Sequence, residues 1–340
     1  VATAPPFSAV WDPSLASVPA GTHSIRVEAK DPSGNSASDS ITVSKRAETT
    51  VASGIKGLNN LLLDSGKLYY AYSSGIGIIS PSCPSGCVFA DWRYPLQPVV
   101  PFVAGAFSSQ AFFLAYQNSS TGASSVGVRV PVGGSPDFTI SNLSNGISAP
   151  FVFADSSNAY FHSGLSLLKS GGLNVSAFGD LPAAPNGFGF DANAVYVSYN
   201  TPTGGVISKK AYSTQGTAFT TLTSPSSSVG SLAAKDGWVY WLEQSPGRVC
   251  KILATGAGAP SCSPAQLSHP SSLAIDPDGN VLFFLDGSSI KRVATDWSGY
   301  ATLATGLSSP KSITVDSSSV FVSAVDSSGS GVIKKVPSAP

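Results

Sequence analysis

The sequence predicts an all-β chain: a seven-bladed β-propeller with a small β-segment at its N-terminus. Three observations carry that expectation. A strand–turn–strand unit recurs along most of the chain. Its spacing suits a four-stranded blade. The composition favours turns and short strands, with 34 Gly and 25 Pro among 340 residues and 42% hydrophobic residues.

The repeat is clearest in SSLAIDPDGNVLFFLDGSSIKRVA (271–294) and KSITVDSSSVFVSAVDSSGSGVIKKVP (311–337). Each has a short apolar strand, a tight turn containing Asp, and a strand with an aromatic centre. A third strand ending in basic residues follows. Aligning every copy on that aromatic selects Tyr69, Phe112, Tyr160, Tyr196, Tyr240, Phe283 and Phe321. Their mean spacing is about 42 residues, which suits a blade of four strands. Five positions earlier stand Asp64, Phe107, Asp155, Asp191, Lys235, Asp278 and Asp316. An Asp there can accept backbone hydrogen bonds across the first turn.

The fourth strand of a blade is the stretch after the basic residues, as in LNVSAFG (173–179), GTAFTTLT (216–223) and YATLATGL (300–307). The last copy stops at Val336-Pro337 without one, while ETTVASGI (48–55) resembles YATLATGL and precedes the first copy. The sequence therefore predicts that 48–55 closes the last blade, leaving no exposed edge. Residues 47–340 form the expected propeller and 1–46 a separate β-segment with strands at 7–11, 23–29 and 38–44.

These blades resemble those of bacterial extracellular propellers related in style to the YWTD and NHL groups. The residues that carry the resemblance are Pro270, Leu273, Ala274, Ile275, Asp276, Ile290 and Lys291, with Pro310, Ile313, Val315, Asp316, Val320, Phe321 and Lys334 in the next copy. The likeness implies a fold and no activity. The N-terminal segment resembles the C-terminal half of a bacterial Ig-like domain, through Trp11, Asp12, Gly21, His23, Ile25, Val27, Ala29, Asp31, Gly34 and Asn35. Three strands do not bury both their faces. Docking on the propeller, pairing with another chain, or descent from a larger upstream region of which it is the remnant is expected.

Charged residues make up 11% of the chain, and 19 basic residues balance 19 acidic ones. This balance argues against nucleic acid or an anionic membrane as partner. The most apolar stretch, 98–116, is broken by prolines and Ser-Ser-Gln and reads as two strands. There is no Met, so Val1 reads as the start of a piece cut from a longer precursor. Cys83, Cys87, Cys250 and Cys262 fall in two local pairs without zinc-like spacing, and His23, His162 and His269 are scattered. Disulfides Cys83–Cys87 and Cys250–Cys262, each tying a third strand to a fourth, are the simpler reading. They imply an oxidising, extracellular or cell-surface setting.

Candidate chemistry is sparse. Asp276, Asp278 and Asn280 resemble the opening of a calcium loop, but the acid expected at its end is missing, so a plain turn is favoured. The basic residues Arg129, Lys169, Lys209, Lys210, Lys251, Lys291, Arg292, Lys334 and Lys335 recur at equal positions and read as solvated blade edges. No nucleophile elbow, zinc-protease helix or sialidase-type Asp box is present, and Glu28, Glu48 and Glu243 are the only glutamates. Sequons at Asn118, Asn142 and Asn174 are of the kind that arises by chance in Ser-rich sequence. The expected binding face gathers loop residues after the second and fourth strands: Trp92, Arg93, Tyr94, Tyr116, His162, Tyr199, Trp241, Glu243, Asp286 and Asp326. Two functions are compatible. One is a non-enzymatic surface protein that binds a protein or glycan ligand or scaffolds an assembly. The other is a secreted carbohydrate-active propeller, a lyase or glycosidase.

Overall fold

A computed structural model describes residues 158–338 almost throughout and 21–80 with short breaks; between 81 and 157 it describes the strands alone, as backbone. Every regular element among the described residues is a strand. No helix among them is long and apolar enough to cross a membrane.

Among the described residues, seven four-stranded antiparallel sheets follow one another, with a separate two-stranded ribbon before them. The third sheet runs Val152–Ala154, Ala159–Ser163, Ser166–Gly171, Asn174–Asp180. The fourth runs Pro185–Phe190, Ala194–Thr201, Gly204–Ala211, Thr220–Thr223. The fifth is built from Val229–Lys235, Trp238–Glu243, Arg248–Leu253 and Ser261–Cys262. Pro270–Ile275, Val281–Asp286, Ser289–Ala294 and Ala301–Ala304 make the sixth. In the seventh, Ser312–Val315, Ser319–Val325 and Gly331–Pro337 are joined by Thr49–Ile55 from the other end of the chain. That strand lies antiparallel to Gly331–Pro337, with Thr50 opposite Lys334 and Ala52 opposite Ile333.

All seven aligned aromatics lie on second strands. Tyr160, Tyr196, Tyr240, Phe283 and Phe321 are buried. From the third sheet to the seventh, and on to the first, successive sheets face one another, so second strands such as Trp238–Glu243 and Val281–Asp286 are buried on both faces and read as near-continuous apolar runs. The core is consequently a series of inter-sheet layers. Tyr160 and Leu167 pack with Val195 and Val197, joining the third and fourth sheets. Tyr196 and Ile207 meet Leu232 and Trp241. Tyr240 and Val249 meet Leu273 and Phe284, and Phe283 and Ile290 meet Ile313 and Val322. Finally Phe321, Ile333 and Val51 share a layer with Leu61, Leu68 and Tyr70 of the first sheet, which runs Leu61–Asp64, Lys67–Tyr72, Gly75–Ile79, Val88–Arg93. Each such side chain gains about 1.5–3 kcal/mol by leaving water.

Two turns show how Asp sets the repeat. Asp191 Oδ1 accepts the amides of Asn193 and Ala194, and its Oδ2 accepts the Tyr196 hydroxyl at 2.8 Å. Asp316 accepts the amides of Ser318 and Ser319 in the same way. In the sixth sheet the duty falls to Asp276, not Asp278. Asp276 accepts the amides of Asn280 and Val281, because the turn there is two residues longer.

The ribbon pairs Gly21–Lys30 with Ser36–Lys45. Ile25 lies opposite Ile41 and His23 opposite Val43. The expected strand at 7–11 lies outside the described residues. Among those residues neither ribbon strand pairs with another sheet. Val27 is 66% exposed and Ile41 57%.

Candidate functional site

Three residues beyond the aligned aromatic, the second strands of the fourth, fifth and sixth sheets carry Tyr199, Glu243 and Asp286, all buried. Each polar group is engaged across its own sheet. The Tyr199 hydroxyl lies 3.2 Å from Ser208 Oγ. Glu243 accepts Arg248 Nε at 2.7 Å and, more weakly, Trp241 Nε1 at 3.4 Å. Asp286 Oδ2 accepts Lys291 Nζ at 2.5 Å, while Oδ1 accepts the backbone amides of Ser268 and His269. Burial, the largest influence on Asp286, would raise its pKa. The hydrogen bonds from Lys291, His269 and Ser268 outweigh it together and hold the carboxyl below its usual value. Burial likewise opposes the Lys291 charge, but Asp286 and Tyr300 hold its pKa above the usual lysine value.

Of the other residues expected on a binding face, Trp241 is fully enclosed between the fourth and fifth sheets. His162 is buried with its ring 6.0 Å from that of Phe188. Asp326 holds its own turn by accepting the amides of Ser328 and Ser330. So Tyr199, Trp241, Glu243, Asp286 and His162 are interior residues of the sheets. The second strands reach the positions where the sequence suggested a loop. Trp92, Arg93 and Tyr116 lie on strands described as backbone only, and Tyr94 falls outside the described residues.

Cys250 and Cys262 are bonded, S–S 1.98 Å, and lie opposite each other on the third and fourth strands of the fifth sheet. Cys83 and Cys87 fall outside the described residues. The cysteine pair and Glu243 form the one cluster of metal-ligand types among the described residues. Its two sulfurs are joined to each other and offer no thiolate to an ion. The Asp276–Asn280 loop folds on itself, with the Asp276 carboxylate engaged by backbone amides.

The recurrent basic residues are not simply solvated. One in each of five sheets lies opposite the aligned aromatic: Lys169 opposite Tyr160, Lys209 opposite Tyr196, Lys251 opposite Tyr240, Arg292 opposite Phe283 and Lys335 opposite Phe321. From there Lys209 Nζ donates to Ala254 O of the fifth sheet at 2.7 Å. Lys251 Nζ donates to Thr295 O after the third strand of the sixth. Arg292 Nη1 donates to Ser338 O, just past the third strand of the seventh, at 3.1 Å. Each acceptor lies three residues after the basic position of its own sheet. The Lys251 ammonium also sits 4.7 Å from the Trp238 ring centre and 5.0 Å from that of Trp297. Burial, the largest influence, depresses its pKa, with Asp296 acting in the opposite sense. A third-strand cation therefore grips the neighbouring sheet, a contact invisible within any single repeat.

A cleft of about 800 Å³ opens between the first turns of the fourth and fifth sheets, lined by Phe188–Asn193 and Leu232–Gly237. The inner strands come close there because of glycine. A Cβ on Gly189 would stand 2.3 Å from Leu232 Cδ2, and one on Gly187 about 3.1 Å from the Gly230–Leu232 backbone. The sequence reading did not find this cleft, because its lining comes from two repeats and no residue in it is chemically unusual.

No protein-family model matches the chain, and no curated protein matches it by sequence. Solved structures match it well in shape. A structure of streptogramin B lyase superposes with a TM-score of 0.66 at 17% identity, covering 85% of this chain and 97% of that one. A catalytically inactive virginiamycin B lyase from Staphylococcus aureus, solved with quinupristin, gives 0.63 at 13% identity, covering 92% and 99%. PorZ of Porphyromonas gingivalis, described as a bacterial surface component of the type-IX secretion system, gives 0.59 at 13% identity, covering 86% of this chain and 39% of PorZ. At such identities the likeness defines a fold. The chain is an all-β protein of the β-propeller class.

Proposed function

We propose that the chain is a secreted or cell-surface, non-enzymatic binding and scaffold module. It is a seven-bladed propeller whose last blade is completed by Thr49–Ile55, with an Ig-like β-segment at its N-terminal side. The observation that carries this reading is the state of the enclosed acids. Glu243 and Asp286 each pair with a basic residue of their own sheet. A general acid or base needs a carboxyl that faces substrate, and these two face the fold. The Cys250–Cys262 bond fits an oxidising compartment. A chain with 11% charged residues and no net charge suits recognition through neutral polar and aromatic groups. The partner class is a protein or glycan ligand, with neighbouring subunits reached through the N-terminal ribbon.

The test is turnover. The purified chain is incubated with a panel of neutral and acidic polysaccharides, and new reducing ends and unsaturated products are followed. No product is expected from any substrate. Sustained product formation that co-purifies with the folded chain and is lost on heating would establish the carbohydrate-active alternative.

A further inference from the structure

The first strand of the ribbon, Gly21–Lys30, has an open outer edge: among the described residues it pairs only with Ser36–Lys45. An unpaired edge is a row of backbone donors and acceptors ready to template another strand. The register shows which residues supply them. The Asp31 amide donates to Asn35 O at 3.0 Å, and the ladder from there back to Gly21 runs without a bulge. Residues along such a ladder turn their backbone groups alternately inward and outward. The odd-numbered residues therefore bond to the second ribbon strand, while Ser24, Arg26, Glu28 and Lys30 turn their N–H and C=O groups to the open edge.

This edge is complementary to itself. Laid antiparallel against a second copy, with Val27 opposite Val27, it sets Arg26 against Glu28 of the second copy and Glu28 against its Arg26. Ser24 then meets Lys30 and Ile25 meets Ala29, each twice, as a two-fold axis requires. The residues with outward backbone groups are the ones that face each other. Opposite charges directly across two strands stabilise the pairing, and like charges destabilise it. Slipped by two residues one way, Arg26 faces Arg26; slipped the other way, Glu28 faces Glu28 and Arg26 faces Lys30. Both neighbouring registers are thus disfavoured. The present contacts of these side chains, Glu28 with Lys30 and Arg26 with Ser38, are exposed and cost little to exchange.

We infer that two copies of this chain associate through this edge, forming one four-stranded antiparallel sheet about a two-fold axis at Val27. The inference rests on the scaffold-module reading above and names the neighbouring subunit as a second copy. Strand pairing of this length buries less than the roughly 1,600 Å² of a standard interface, so the dimer is weak and depends on concentration.

The experiment sediments the full chain over a range of concentrations, with Arg26→Glu, Glu28→Arg and the double exchange alongside. Wild type should pass from monomer to dimer. Each single reversal should weaken the dimer about tenfold or more, because the two-fold axis turns both cross-strand pairs repulsive at once. The double exchange should restore it. In parallel, Val27→Cys should give a disulfide-linked dimer in air, since directly opposed residues stand within bonding reach. Ser24→Cys should not, its two copies lying about 20 Å apart along the strands. A wild type that stays monomeric, a double exchange that does not restore the dimer, or equal cross-linking by the two cysteine variants overturns the inference. The first of these results is the one seen if residues 7–11 of the same chain, or a different protein, take the edge. All of them leave the turnover test unaffected, so a failed dimer and a failed non-enzymatic reading are told apart.

Discussion

The block of sheets from residue 158 to 338 and the ribbon at 21–45 are both antiparallel strands carrying regularly placed apolar residues, yet they end in opposite states. In the block, Val239, Leu242, Phe283 and Val322 are enclosed. In the ribbon, Val27 and Ile41 stand in solvent. Alternation specifies only which side chains share a face. Whether a face is buried depends on a neighbour, and each sheet of the block has one on either side. The ribbon's polar face is composed of Thr22, Ser24, Arg26, Glu28 and Lys30 against Ser36, Ser38, Ser40, Thr42 and Ser44. Its side-chain contacts among the described residues include the Lys30–Glu28 pair at 3.6 Å and an Arg26–Ser38 hydrogen bond at 3.0 Å. Exposed contacts of this kind contribute at most about 1 kcal/mol.

This contrast can be attacked from its strongest side. Trp241→Ala should cost the block about 3–5 kcal/mol, because the ring fills a shared layer that does not collapse. Urea denaturation followed by near-ultraviolet circular dichroism measures it. A loss below 1 kcal/mol, on the order of a surface change, would remove the claim that the layers between sheets hold the fold.

The next largest effect belongs to Asp286. Replacing it with Asn leaves the Lys291 ammonium poorly matched, at a cost of about 3 kcal/mol, the low end for buried pairs since Lys291 still reaches water. The pH dependence has a defined sign. Asp286 has a folded pKa below its unfolded one, so its contribution is present above roughly pH 3.9 and is lost as pH falls through the folded value. Lys291 is raised, so its contribution is complete below roughly pH 10.4 and disappears as pH rises through its folded value. Thermal melts across pH should show part of the acid limb missing in Asp286→Asn. An unchanged acid limb would contradict the pairing.

A smaller loss, about 1.5–3 kcal/mol, is expected for Lys251→Met. Met keeps the aliphatic contact with Trp238 and Trp297 but cannot reach Thr295 O. Lys251→Arg should recover most of it. If Met and Arg behave alike, the grip between the fifth and sixth sheets is packing alone.

The smallest effect sharpens the comparison most. Val27→Thr combined with Ile41→Thr should change stability by no more than about 0.5 kcal/mol, because neither side chain leaves water on folding. A loss above that, seen as earlier protease cleavage within 21–45, would mean that the apolar face of the ribbon is covered in solution.

Much of the fold was legible in the sequence. The aligned aromatics mark second strands because a repeated packing layer demands a large apolar residue at one register position. ETTVASGI could be recognised as a stray fourth strand because it resembles YATLATGL. Less of the candidate site was legible. Tyr199, Glu243 and Asp286 look like loop residues because polar groups follow an apolar run, whereas their partners Ser208, Arg248 and Lys291 lie across a hairpin and keep them inside. Lys209, Lys251 and Arg292 look like surface charge because their acceptors are 44 to 46 residues away, in the next repeat. Asp276 was passed over for Asp278 because alignment on the aromatic does not register a turn two residues longer.

The chain of grips from Lys209 to Ala254, Lys251 to Thr295 and Arg292 to Ser338 has a direction. The fifth and sixth sheets each carry the hand on one strand and the handle three residues later, so each is both a donor to its successor and an acceptor from its predecessor. A contact of that head-to-tail kind has no internal stop. It closes if the rotation per step divides a full turn, and otherwise it grows without end. It also makes the sheet, complete with hand and handle, the smallest piece of the gene that duplication can copy without leaving a joint unmade. The borrowed strand Thr49–Ile55 breaks the equivalence once. It joins residues near the start of the described chain to its last strand, so this sheet depends on segments about 280 residues apart.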